Sequence, residues 1–329
     1  LLMQALYFKP SYERLRERIH AAAPELDVVL YDEAGRLWHH GVEVLPKDIK
    51  PDWCWIHTEL FFSPLLHEYF RLMLHLPSLK WLHTVNTGLD KLPYLELVEK
   101  GVTVTNNHAQ AIAIAEFVFG QLLADWQNVY DYRAKQQQKV WKHRGFREVH
   151  GTHWLVVGFG EIGKEVARRA KAFGATVTAV RRKQDTEGLA DFVAPQERLL
   201  EELPRADVVV IACAANASTR DLVNKHFLDA MKEKSVLINI ARGDLVVEAH
   251  LHAALDRGKP DYAILDVFNH EPPVEDSWVW AHPRVSLTPH TSNGGTGMRA
   301  RSEANFLDNL ALMVKGQALR NLVRHSDIV

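Results

Sequence analysis

Residues 153–182 read HWLVVGFGEIGKEVARRAKAFGATVTAVRR. Trp154 to Val157 form a short continuous apolar run, and Gly158-Phe159-Gly160-Glu161-Ile162-Gly163 is a Gly-x-Gly-x-x-Gly turn. Lys164 to Phe173 then carry apolar residues at helical spacing until Gly174 stops them. The pattern predicts strand, tight turn, helix and second strand, the order in which a dinucleotide pyrophosphate is held. Gly158 suits the tight turn, Gly160 lets backbone approach the phosphates, and Gly163 lets the helix pack closely on the strand. The helix start then presents its free N–H groups to the anion. Where the second strand ends, an NAD site carries an acidic residue for the ribose 2′-hydroxyl. Here stand Arg181, Arg182 and Lys183. A guanidinium pairs with a 2′-phosphate through parallel hydrogen bonds, so the expected cofactor is NADP(H) ahead of NAD(H).

Working outward, 329 residues suit about two domains at roughly 100–200 residues each. A hydrophobic content of 47%, a charged content of 24% and a formal net charge of -2 describe an ordinary globular composition. Basic residues are interspersed with acidic ones, which argues against a nucleic-acid or membrane-surface partner and leaves the Arg181 cluster as a local feature for a small anion. Two cysteines, Cys54 and Cys213, supply neither a disulfide framework nor a cysteine-based metal site, so a reducing cytoplasm and no metal are expected. The N-terminal residues lack the order of a signal peptide. The most apolar segment, 109–124, is interrupted by Glu116 and Gln121 and falls short of the ~20 residues that span a bilayer.

Strands are expected near residues 5–8, 27–30, 53–57, 81–84 and 102–105, with helices near 12–23 and 64–75, the alternation of a small open α/β sheet. A second set of strands is expected at 154–157, 176–180, 208–212, 235–240, 263–267 and 285–288. Continuous runs such as Val208-Val209-Val210-Ile211 suit parallel strands buried on both faces, and right-handed crossovers would complete a doubly wound sheet. The helix expected over 109–128 is apolar on nearly every face and suits a place between domains or subunits. The helical tail from Met298 follows a glycine-rich stretch and is expected to return to the first domain. The expected division is residues 1–105 with 297–329 as a substrate-binding domain, and 106–296 as the dinucleotide-binding domain.

Ligands of open α/β sheets bind beyond the carboxyl ends of the strands. Arg242, Glu271 and His290 each follow a predicted strand of the second domain. A nicotinamide cofactor implies hydride transfer at an alcohol or ketone carbon, and a proton must move as well. An imidazole can exchange that proton near neutral pH. A carboxylate beside it fixes the ring and favours its protonated form. A guanidinium can grip a substrate carboxylate. Any one of 18 histidines is by itself a weak signal. The trio gains weight from its placement after successive strands.

Asn239-Ile240-Ala241-Arg242-Gly243, the run Leu265 to Pro272, and Thr288-Pro289-His290 resemble the signatures of the D-isomer-specific 2-hydroxyacid dehydrogenases. Thr87-Gly88-Leu89-Asp90 and Val104-Thr105-Asn106-Asn107 extend the resemblance over nearly the whole chain. Asp131-Tyr132-Arg133, Trp141 and Trp280 to Val285 make it most similar to the NADPH-dependent glyoxylate/hydroxypyruvate reductases. The resemblance implies a doubly wound Rossmann sheet with a smaller flavodoxin-like α/β domain and a cleft between them. It implies Arg242 as substrate anchor, Glu271 and His290 as the proton-transfer pair, and backbone N–H groups near Thr87 and Gly88 as carboxylate binders. Asp266 would hold the nicotinamide carboxamide, with Ala214, Ile240, Ala241, Ser292 and Asn293 along the cofactor. Two departures stand out: Arg181-Arg182 replaces an acidic residue, and Ala212-Cys213-Ala214-Ala215-Asn216 replaces a leucine-proline turn.

The expected function is therefore reduction of a small 2-oxoacid to the D-2-hydroxyacid by an NADPH-dependent homodimer. A nucleotide-sensing, corepressor-like protein on the same fold is the alternative, since fold alone does not determine function. Formate oxidation is disfavoured because it needs no acid/base proton and Glu271 stands beside the histidine.

Overall fold

The computed structural model describes residues 3–89, 92–181, 186–325 and 328. The chain divides into two compact units, residues 1–109 with 296–329, and residues 110–295.

The first unit opens with β1 (Met3–Phe8), α1 (Lys9–Ala22), β2 (Leu26–Tyr31), β3 (Leu37–His39), β4 (Val42–Val44), β5 (Trp53–Ile56), α2 (Thr58–Phe61), α3 (Leu66–Leu74), β6 (Trp81–Thr84), α4 (Leu92–Glu99) and β7 (Thr103–Thr105). Among the described residues its sheet has seven strands in the order β4-β3-β2-β1-β5-β6-β7. The parallel part, β2-β1-β5-β6-β7, has the flavodoxin order. The short antiparallel hairpin β3–β4 closes one edge; its three-residue strands are not among those the sequence leads one to expect. Alternate side chains of the central strands feed two cores. Leu6, Cys54, Ile56 and Leu82 pack on one face, and Ala5, Tyr7, Trp53, Trp55 and Trp81 on the other.

The second unit runs through α5 (Ala111–Trp126), α6 (Val129–Gln137), β8 (His153–Val157), α7 (Glu161–Ala172), β9 (Thr176–Val180), β10 (Phe192–Ala194), α8 (Leu199–Glu202), β11 (Val208–Ile211), α9 (Lys225–Ala230), β12 (Val236–Asn239), α10 (Glu248–Asp256), β13 (Tyr262–Leu265) and β14 (Val285–Leu287). Its sheet is β10-β9-β8-β11-β12-β13-β14, again seven strands among the described residues. Every pairing in it is parallel. The order is the 3-2-1-4-5-6 of a Rossmann sheet with one further strand. Leu155, Val157, Val209 and Ile211 enter one core while Trp154, Val156, Val208 and Val210 enter the other, which is why these strands are apolar without alternation. Each such buried side chain contributes about 1.5–3 kcal/mol.

The apolar helix α5 lies within this unit. Phe119 stacks on Trp154 at 4.8 Å and on Phe173 at 5.2 Å. Besides its many polar residues, the segment of α6 and its return exposes apolar side chains: Tyr130, Val140 and Phe146 are exposed and Trp141 is wholly so, at 102%. The chain then re-enters the first unit as α11 (Met298–Val314), whose buried face is Ser302, Glu303, Phe306, Asn309 and Leu310. Phe306 stacks on Trp55 at 3.9 Å. No helix is long and apolar enough to cross a membrane among the described residues.

Candidate active site

The glycine turn joins β8 to α7, and each of its glycines has a separate cause. Gly158 has a φ of +93°, and a Cβ there would overlap the backbone of Ala212 and Cys213, which crosses the turn. At Gly163 a Cβ would overlap the Gly158 carbonyl oxygen, so the helix can lie this close to the strand only without a side chain. Gly160 differs, since a Cβ would meet nothing within 4 Å. Open space is what a phosphate approaching the backbone requires. Gly160 is also the N-cap of α7, and no side chain caps it. The first-turn N–H groups of a helix are an anion site. These features fit a dinucleotide pyrophosphate. Phe159 is buried, while Glu161 is exposed and Ile162 intermediate.

Arg181 directly follows β9. Its N–H donates to Ala194 O of β10 at 3.1 Å, and its guanidinium carbon lies 5.9 Å from the Phe159 ring centre, beside the glycine turn. Arg182 lies outside the described residues. The loop after β11 is built by an Asn216 turn: Oδ1 accepts from Ser218 N at 2.9 Å, and Thr219 Oγ1 donates to Ala214 O at 2.7 Å. Burial pushes the Cys213 thiol up to about 11, so it is no nucleophile near neutral pH.

Arg242, Glu271 and His290 follow β12, β13 and β14, which are neighbours in the sheet. At the end of β12, Asn239 is fully buried and shapes the turn that presents Arg242. Its Oδ1 accepts from Ala241 N at 3.1 Å and its Nδ2 donates to Arg242 O at 2.9 Å. The Arg242 Nη1 donates to Ala241 O at 2.7 Å. A Cβ at Gly243 would overlap the backbone of Phe268 and Asn269. The Arg242 turn therefore packs directly on the loop that carries Glu271. Ile240 is buried and Ala241 partly so.

Glu271 is held from both sides. Oε1 accepts from Phe268 N at 3.0 Å, and Oε2 lies 2.7 Å from His290 Nδ1. An ionised carboxylate only accepts, so Nδ1 carries the proton and Nε2 is the atom left to exchange one. The His290 side chain is 40% exposed. His290 itself has a φ of +48°, in the left-handed region where a non-glycine residue is strained. Asp266, fully buried at the end of β13, holds it there. Its carbonyl accepts from His290 N at 2.9 Å, Oδ1 accepts from Thr288 Oγ1 at 2.7 Å and Thr291 N at 2.9 Å, and Oδ2 accepts from Ser292 N at 3.0 Å. The carboxylate is thus engaged by the histidine loop itself. Ser292 is buried and Asn293 intermediate; two residues on, a Cβ at Gly295 would overlap Ala113 Cβ, so the loop is seated against α5.

In the first unit, Thr87 and Gly88 follow β6. Thr87 Oγ1 donates to Asn107 O at 2.6 Å, and Asn106 Nδ2 donates to Thr87 O at 3.1 Å. Asp90 lies outside the described residues. Among the described residues, two trios gather metal-ligating atoms, Asp27 with His39 and His40, and His252 with Asp256 and His282; neither includes Arg242, Glu271 or His290. In the second, His282 Nδ1 accepts from Arg284 N at 3.2 Å. That bond places the ring proton on Nε2, which suits donation to Asp256 and not ligation. The sequence motif around Arg242 assigns no role to Asn239 or Gly243, and the structure gives each one. Their signal was a polar residue inside an apolar strand and a glycine fixed beside a cation.

A family model described as "D-isomer specific 2-hydroxyacid dehydrogenase, NAD binding domain" matches residues 119–292. The chain belongs to this dehydrogenase family. The matched span holds the glycine turn, Arg242, Asp266, Glu271 and His290 of the dehydrogenase. Glyoxylate reductase from Korarchaeum cryptofilum is 30% identical over 277 residues, covering 81% of each chain. D-3-phosphoglycerate dehydrogenase from Methanocaldococcus jannaschii is 30% identical over 259 residues, 76% of this dehydrogenase and 48% of the relative, so the chain spans about half the length of that protein. A D-isomer specific 2-hydroxyacid dehydrogenase from Xanthobacter autotrophicus Py2, solved in complex with NADPH and MES, shares the fold with a TM-score of 0.78 at 23% identity over 100% of both chains.

Proposed function

We propose that this dehydrogenase reduces a small 2-oxoacid of the glyoxylate/hydroxypyruvate type to the D-2-hydroxyacid, with NADPH as the reductant. The observation that carries the assignment is the His290–Glu271 pair, 2.7 Å apart, at strand ends next to the one presenting Arg242. When bound, the nicotinamide supplies the hydride. Arg242 binds the substrate carboxylate and polarises the carbonyl beside it. Glu271 holds the Nδ1 proton of His290 and orients the ring. His290 Nε2 gives its proton to the carbonyl oxygen as it becomes an alcohol. Backbone donors at Thr87 and Gly88 bind the carboxylate too. The turn Gly158–Gly163 takes the pyrophosphate, with Ala214, Ile240, Ala241, Ser292 and Asn293 along the cofactor. Asp266 keeps a role at the carboxamide in addition to holding the histidine loop.

Arg181 and Arg182 pair with the 2′-phosphate, which is the basis for NADPH over NADH. The apolar set on the α6 arm points to a two-fold homodimer, the commonest oligomer. Free cysteines Cys54 and Cys213 suit a reducing cytoplasm.

Initial rates of NADPH and NADH oxidation with glyoxylate, hydroxypyruvate, pyruvate and phenylpyruvate test the assignment, alongside His290→Ala and Arg181→Asp. We expect NADPH-preferring turnover, lost by about 10²-fold or more in His290→Ala and shifted toward NADH in Arg181→Asp. Tight NADPH binding without turnover of any oxoacid would overturn the enzymatic assignment in favour of a nucleotide sensor.

A further inference from the structure

The chain passes between its units twice, between Ala109 and Gln110 and between Gly295 and Thr296. One side chain touches the first-unit side of both passages. Arg301, in the first turn of α11, donates from Nε to Ala109 O at 2.8 Å. Its guanidinium also covers Gly297, where a Cβ would overlap Nη1. The end of an arginine that serves the first passage therefore rests beside the second.

Asn107 continues the connection inward. It is fully buried, and both of its amide atoms are engaged twice. Oδ1 accepts from Ala109 N at 2.8 Å and from Asn305 Nδ2 at 3.3 Å. Nδ2 donates to Ser302 Oγ at 2.9 Å and to Ser302 O at 3.3 Å. On its backbone, N–H donates to Asn86 O at 3.0 Å, and the carbonyl accepts from Thr87 Oγ1 at 2.6 Å. A buried amide with its full set of partners is a high-stakes hub, because displacing one member leaves the others unpaired. The path Arg301–Ala109–Asn107–Thr87 lies wholly inside the first unit. It runs from the two passages to the loop assigned above to the substrate carboxylate.

Resting on that assignment of Thr87 and Gly88, we propose that Arg301, acting through Asn107, is a positioning residue that fixes the carboxylate-binding loop relative to both chain passages. Arg301 does not touch the reacting atoms. It holds the two covalent connections at one place, so that the loop and the connections keep a single arrangement. Left unclamped, each connection would be a separate flexible joint, and the loop would lose its reference point.

Amide hydrogen exchange on the full-length protein, read together with steady-state kinetics, tests this with Arg301→Ala, Arg301→Lys and Gly297→Ala. The Asn107 and Ala109 amides are direct probes, since each donates within the path. In Arg301→Ala we expect exchange about ten-fold faster at residues 86–89 and 107–109, with β8 to β14 unchanged. KM for the oxoacid should rise about ten-fold while the Kd for NADPH stays the same, and Arg301→Lys should fall between. Gly297→Ala retains the arginine but pushes its guanidinium aside, so it should reproduce the pattern even if Arg301→Ala does not fold. Unchanged exchange at 86–89 and 107–109 in a folded variant overturns the coupling, whatever the activity. Faster exchange there in a protein that reduces no oxoacid would sustain the coupling and refute the enzymatic assignment instead.

Discussion

At the scale of single residues, the site depends on groups that hold the reacting side chains in place. Asp266 shows how. Three donors from Thr288 to Ser292 converge on its carboxylate, and its carbonyl takes the His290 N–H. This network outweighs the strain of a left-handed histidine, which costs of order 1–3 kcal/mol. Asp266→Asn would replace one acceptor by an amide NH2 group facing an N–H donor. Stability should fall by about 1–3 kcal/mol in urea denaturation. Turnover should fall further than NADPH affinity, because the first casualty is the aim of His290. A variant with wild-type kcat would show that the loop holds its shape without the carboxylate. Gly243 makes a similar point by sterics. In Gly243→Ala the methyl meets backbone and not a yielding side chain, so the Arg242 turn must shift away from the Glu271 loop. Oxoacid KM should rise at least about ten-fold with NADPH binding intact, as titration and kinetics on the same preparation would reveal.

At the scale of elements, the ends of β5 and β6 carry a pH dependence through two histidines of the first unit, His57 just after β5 and His83 within β6. Burial pushes His83 down to about 3. Burial likewise dominates at His57, which falls to about 4 although Glu59 favours its charged form; Arg14 and Arg299 act in the same direction as burial. An unfolded histidine titrates near ~6.5. For a depressed group, stability is fully present above the unfolded value and lost as the pH falls through the folded one. Stability should therefore decline from about pH 6.5 toward 4 and 3. Asp125 has the opposite sign, since burial and then the charge of Asp261 push it up to about 6. Acidification through that range stabilises the fold through Asp125. It is one partly exposed carboxyl against two buried rings, so the histidines prevail. Urea midpoints measured from pH 8 to 4 should drop on the acid side, and His83→Phe, which keeps a ring against Trp81 and Phe306, should flatten that drop. An unaltered profile in the variant would assign the acid sensitivity elsewhere.

At the scale of the whole molecule, the α6 arm is the feature without an internal use. Isolated surface apolar residues are ordinary, but Tyr130, Val140, Trp141 and Phe146 fall close together in one arm. Tyr132 OH donates to Arg144 O at 2.8 Å and Arg147 sits 4.2 Å over the Trp126 ring, so the arm is folded back and presented, not loose. Light scattering should give twice the chain mass for the wild type. Trp141→Ser together with Phe146→Ser should lower that mass toward the monomer with little change in far-ultraviolet circular dichroism. A wild-type monomer would leave the arm to another partner.

The sequence alone determined the strand–glycine turn–helix unit, the parallel order of buried strands and the positions of Arg242, Glu271 and His290, because these depend on local periodicity and on where strands end. Three short strands escaped it. β3, β4 and β10 are three residues each, stand among turn residues and pair with the strand just before or after them in the chain. Only the tertiary structure decided that the Asp266 carboxylate serves the histidine loop, that Gly243 must be glycine because Phe268 lies against it, and that Asn107 gathers Ser302 and Asn305 from almost two hundred residues away. The physical reason is that composition and spacing fix which face a residue takes, whereas a hydrogen-bond partner or a steric limit exists only once separate segments have been brought within a few ångströms of each other.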